Sequence, residues 1–104
     1  MQIISRKVSF QAILIYMTDR IAEHRDKIDE LDARILELIQ KRVAETINIR
    51  RLKLEAELPL FTPDREQELI QRLIEESAGR LPASVIKQIW ETIIQGGKQI
   101  KDDR

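Results

Sequence analysis

An all-α fold of three helices, one long and two short, is what this sequence predicts, and three observations predict it. From Thr18 to Glu57 the chain has no Pro and no Gly and is rich in Glu, Lys, Arg, Leu and Ala, all good helix formers. Over the same run apolar residues return with a heptad period. Nowhere does the sequence show the strict apolar–polar alternation of a strand.

The long helix comes first. Its seam positions are Ile21, His24, Ile28, Leu31, Ile35, Leu38, Arg42, Glu45, Ile49, Leu52 and Ala56, an apolar stripe with a polar centre. Thr18 is placed to cap its start, Asp19 suits the first turn, and Pro59 stops the run. Forty helical residues span about 60 Å at ~1.5 Å per residue. A globule of this chain length is only roughly 35 Å across, from a radius of gyration of about 13 Å. The rod is too long for its own chain to cover, so a two-fold homodimer is expected.

Leu58 to Phe61 form a short connection. Thr62-Pro63-Asp64-Arg65-Glu66 then reads as a helix start, with Thr62 as N-cap, Pro63 at the first helical position and acids in the first turn. Leu69, Ile70, Leu73 and Ile74 make the apolar face, and Gly79 ends the helix. Pro82 opens the third helix, whose inner face is Ile86, Ile89, Trp90, Ile93, Ile94, Gly97 and Ile100.

Residues 1–16, MQIISRKVSFQAILIY, differ from the rest: apolar, with two basic residues and no acids. Ser9 and Gln11 break the apolar run, no small-residue cleavage site follows, and the stretch is too short to span a bilayer. It reads as an N-terminal extension ahead of a domain over 17–104, in a cytoplasmic protein.

Composition narrows the chemistry. The 104 residues carry 18 Lys+Arg against 18 Asp+Glu, and a net charge of zero argues against nucleic-acid binding. The absence of Cys removes a disulfide framework, a thiolate zinc site and a cysteine nucleophile, and one His cannot build a histidine-rich metal site. No carboxylate spacing suits a metal and no glycine-rich phosphate loop is present. Neither metal nor cofactor is expected.

The polar centre of the seam is the candidate site. Arg42 occupies a core-type position and Lys53 lies eleven residues on. Eleven residues make about three turns, so both project from one face with Cα atoms about 16 Å apart. A small anion fits between two such side chains. A buried Arg needs a negative partner, and Glu45, three residues on, is the alternative to a ligand.

RDKIDELDARILELIQKR at 25–42, Lys53, and PDREQELIQRL at 63–73 together resemble the all-helical chorismate mutase family, with IWETIIQGGKQIK at 89–101 a looser fit. The resemblance runs from Asp19 to Lys101. It implies an intertwined three-helix homodimer with sites shared between chains, converting chorismate to prephenate, the branch step toward phenylalanine and tyrosine. By position, Arg42 would clamp one substrate carboxylate and Arg25 of the partner chain the other. Lys53 would donate to the ether oxygen, Glu66 would accept from the ring hydroxyl, and Arg65 would support a carboxylate indirectly. Three positions depart from the family pattern. Thr62 stands where Asp is common, Gly97 where a small polar residue contacts a carboxylate, and Lys101 where Gln or Glu gives a second donor to the ether oxygen. Lys101 either donates there beside Lys53 or points to solvent.

The chemistry agrees with what the sequence lacks. An intramolecular Claisen rearrangement needs no nucleophile and no general base, only a restrained conformer and fixed positive charge beside the breaking C–O bond. The enzymatic alternative is an isochorismate pyruvate-lyase, which resembles this family but tends to carry an apolar residue where Glu66 stands. The non-enzymatic one is a helical dimer module with a degenerate pocket.

Overall fold

The computed structural model describes residues 9–101, and within them the chain forms three helices: α1 over Phe10–Glu55, α2 over Pro63–Ser77 and α3 over Ala83–Gln99. No strand occurs among the described residues. The first eight residues of the segment read as an extension, and the last three of the 17–104 domain, lie outside the described residues.

α1 is longer than expected, at 46 residues. Ser9 caps it instead of Thr18: the Ala12 amide donates to Ser9 Oγ at 3.0 Å, and the Ile13 amide to the Ser9 carbonyl at 3.1 Å. Thr18 sits inside the helix and turns its hydroxyl back onto the Leu14 carbonyl at 2.7 Å, an alternative open to a mid-helix Thr. The Thr18 cap is therefore corrected. Ser9 and Gln11 interrupt an apolar pattern, but neither stops a backbone that is free of Pro and Gly.

Two compact units divide the chain, residues 1–38 and 39–104. In the first, every described residue is exposed. Ile21, Ile28, Leu31, Ile35 and Leu38 each leave about half their surface or more open.

The second unit holds the core. Ile86 and Ile94 are its buried apolar side chains, Gly97 is buried with them, and α2 packs on α3. Leu69, Ile70, Leu73 and Ile74 of α2 and Trp90 and Ile93 of α3 are half-buried. Ile89 and Ile100, expected on the inner face of α3, are exposed. On α1, the half-buried positions are Ile39, Arg42, Val43, Thr46, Ile47, Arg50, Arg51 and Lys53, while the seam residues Ile49 and Leu52 are exposed. The turned-in face of this part of α1 is thus rotated from the heptad seam. Among the described residues, nothing covers the seam positions Ile49 and Leu52.

α1 ends in a left-handed cap. Glu57 has φ +56°, the Leu58 amide donates to the Lys53 carbonyl at 2.8 Å, and the Glu57 amide to the Leu54 carbonyl at 3.2 Å. This is the paired bonding of a Schellman motif, with Pro59 following it. α2 ends similarly, with Ala78 at φ +50° and Gly79 at φ +79°. The Arg80 guanidinium donates to the Ser77 and Glu76 carbonyls.

Candidate active site

The second unit contains a cavity of about 380 Å³, within the range of small-molecule sites. Five cations reach it: Arg42, Arg50 and Lys53 from α1, Arg65 from α2 and Lys98 from α3. One acid, Glu66, faces them. Leu60, Phe61, Leu69 and Ile94 give the apolar walls, and Thr46 and Thr62 supply hydroxyls. The arrangement suits a small anionic molecule with an apolar part.

Helical spacing explains the α1 contribution. Arg42, Thr46, Arg50 and Lys53 follow each other at intervals of four, four and three, which places them along one face. The Schellman turn then sends the chain back, so that the Lys53 ammonium donates to the Leu60 carbonyl at 3.3 Å. Pro63 fixes the start of α2 immediately after, setting Arg65 and Glu66 in its first turn.

Arg42 and Glu45 do not pair: no ion pair joins them among the described residues, and Glu45 is exposed and away from the cavity. A separation of three along a helix permits a pair but does not compel one, and Arg42 turns to the cavity instead. Thr62 stands before α2, yet its hydroxyl makes no cap bond. It lines the cavity, so the side-chain cap expected of it is corrected.

Glu66 and Lys98 form an ion pair in the site, Nζ to Oε1 at 2.9 Å, with about a quarter of each side chain exposed. The Lys98 ammonium also lies 4.8 Å from the centre of the Phe61 ring, within cation–π range. Arg50 binds the end of α3, donating to the Gly97 and Ile100 carbonyls at 2.7 Å each. Those carbonyls would otherwise lack partners at a helix C-terminus.

Arg42, Lys53, Thr62, Arg65 and Glu66 therefore meet at one cavity. Gly97 is buried in α3 beside it, and a Cβ there would lie 3.7 Å from the Thr46 methyl, an ordinary contact. Lys101 follows the end of α3, is exposed and does not line the cavity. Arg25 belongs to the first unit and is exposed. Sequence reasoning missed Arg50 and Lys98. Arg50 could have been found by the four-residue step from Arg42 and Thr46; for Lys98 the sequence carries no comparable signal.

Residues 24–102 match the family described as Chorismate mutase type II. The chain belongs to the type II chorismate mutase family. It is 30% identical over 80 residues to a bifunctional chorismate mutase/prephenate dehydratase of Aquifex aeolicus, a match covering 73% of this chain and 22% of that one. It is 35% identical over 57 residues to a chorismate mutase of Methanocaldococcus jannaschii, covering 55% of this chain and 58% of the other. The chain thus spans less than two thirds of the length of either curated relative. Among solved structures, a chorismate mutase from Thermus thermophilus superposes with a TM-score of 0.72 at 31% identity, over 75% of this chain and 98% of that one. No helix among the described residues is long and apolar enough to cross a membrane.

Proposed function

We propose that this type II chorismate mutase family member catalyses the rearrangement of chorismate to prephenate, as a cytoplasmic homodimer without cofactor. The observation that carries the reading is the meeting of Arg42, Lys53, Arg65 and Glu66 around one partly apolar cavity. Chorismate is a flexible dianion with an apolar ring. The reaction breaks its ether C–O bond and forms a C–C bond within one molecule, moving no proton. What it needs is restraint of the compact conformer and positive donors where oxygen gains charge.

Arg42 has the planar fork that grips a carboxylate through two hydrogen bonds. Lys53, a compact point charge, donates to the ether oxygen. Glu66 keeps Oε2 available for the ring hydroxyl while Lys98 holds Oε1. Arg65 reinforces the field around the carboxylates, Thr62 adds a hydroxyl at the cavity wall, and the partner subunit's Arg25 clamps the second carboxylate. Gly97 has no side chain to reach the substrate, and Lys101 has no part in the cavity of a single chain.

The homodimer is supported by the apolar seam of α1, exposed from Ile21 to Leu38 and again at Ile49 and Leu52. Contiguous apolar surface of this kind marks an interaction site, and a two-fold partner presents the same surface in return.

The test is an assay of the purified chain with chorismate and, separately, with isochorismate. Saturable loss of chorismate with formation of prephenate is expected. No turnover of chorismate above the spontaneous rate, or preferential release of pyruvate from isochorismate, would overturn the reading.

A further inference from the structure

We propose that Lys98 is the substrate-binding residue of α3, donating to a carboxylate of the bound dianion from beside the position where Gly97 offers no side chain. The proposal rests on the chorismate reading above and assigns a group in that site.

Three observations converge on Lys98. It lines the cavity, whereas Lys101, four residues from Gly97, lies beyond the end of the helix. Its ammonium is pinned from two sides, by Glu66 Oε1 at 2.9 Å and by the face of Phe61 at 4.8 Å. An ammonium carries three donors and no acceptor. Glu66 takes one and the Phe61 face meets another, leaving one to meet an anion in the cavity. The third observation concerns its backbone. Arg50 grips the carbonyls of Gly97 and Ile100, on either side of Lys98, and so fixes the turn of α3 that carries it.

A lysine on a free helix end would lose much side-chain entropy on gripping a ligand. Lys98 has already met that loss through its contacts with Glu66 and Phe61. Its charge stands ready where a dianion must sit, and preorganised donors need no rearrangement when the ligand arrives. Glu66 gains from the same contact, since Oε1 is held and Oε2 is left for another donor.

Steady-state kinetics of the full chain with chorismate test the assignment, comparing wild type with Lys98→Met, Lys98→Gln and Lys98→Arg. Helicity by circular dichroism establishes folding, and Lys87→Met on the exposed, outward part of α3 controls for lost surface charge. Lys98→Met should lower kcat/KM about tenfold or more, chiefly through KM, because a carboxylate grip acts in ground state and transition state alike. Lys98→Arg should recover activity to within about threefold of wild type, since it too donates to a carboxylate. The same Lys98→Met change in a Glu66→Gln background should still cost about threefold or more. An active, folded Lys98→Met or Lys98→Gln enzyme with unchanged kcat/KM overturns the proposal. So does the absence of any further loss in the Glu66→Gln background, which would make Lys98 a holder of Glu66 and nothing more. A wild-type chain inert toward chorismate removes the functional reading itself, a result visible before any variant is measured.

Discussion

Two stretches of α1 carry the same kind of sequence and meet different surroundings. Through residue 38 the heptad seam supplies Ile21, Ile28, Leu31, Ile35 and Leu38, and each leaves about half its surface or more open. From residue 39 onward the helix turns in Ile39, Val43, Thr46 and Ile47, and adds Arg42, Arg50 and Lys53 to the wall of a cavity. One stretch has an apolar seam left uncovered among the described residues; the other is partly covered and turns a cationic face to the cavity. On the function proposed above, the difference divides the helix between two purposes: association in its first stretch, substrate handling in its second.

The largest effect should come from the charged stretch. Arg42→Ala should lower kcat/KM for chorismate by about a hundredfold or more, the scale for removing one aimed donor from an active site. Glu45→Ala, three residues on but away from the cavity, should change it by less than about twofold. Equal losses in the two variants would restore the Arg42–Glu45 pair and break the comparison. Arg25→Ala should be nearly inactive as well. Mixed refolding of the Arg25 and Arg42 variants should regain activity, because one site in each heterodimer keeps both arginines. Confirmed heterodimers without recovery would remove the partner subunit's Arg25 from the site.

How much of this was legible in the sequence follows from which forces act locally. Three helices could be read because Pro63, Pro82 and the absence of breakers in α1 act on the nearby backbone. The cap at Thr18 was misread because an N-cap Ser or Thr looks the same as one whose hydroxyl folds back mid-helix; Ser9, a weaker-looking signal in an apolar run, won the position. The stop at Glu57 carried no glycine signal, since a glutamate in the left-handed region is uncommon. Arg42, Lys53, Arg65 and Glu66 were named from spacing and from the family resemblance, and the structure brings all four to one cavity. Lys98 was not named, because its place at the cavity is set by Glu66 and Phe61 arriving from another helix and a loop, a juxtaposition no local pattern encodes.

The association stretch gives the next effect. Leu31→Asp on a helix face open to water would cost within about 0.5 kcal/mol, as most surface changes do. On a face buried against a second chain it strands an unpaired charge and should cost about 3 kcal/mol or more. The second outcome is expected, read as a fall in the urea midpoint and as a midpoint that rises with protein concentration in the wild type alone. A small, concentration-independent change would return this seam to solvent.

The smallest effect sharpens the junction between α1 and the cavity wall. Glu57 holds φ +56° at the Schellman turn that brings Leu60, Phe61 and Thr62 back beneath Lys53. Glu57→Gly relieves a left-handed conformation that costs an L-residue about 1 kcal/mol and should raise stability by roughly that much, less the added freedom of the unfolded chain. Thermal denaturation reads it, and a clear destabilisation would mean that the glutamate side chain holds the turn.

Sedimentation equilibrium at micromolar concentration tests most directly whether the open seam of α1 belongs to a dimer. The prediction is a single species of about 24 kDa, twice the 12.2 kDa of one chain. A well-folded, helical species sedimenting at the mass of one chain across the whole concentration range would contradict it, and with it the sharing of a site between two subunits.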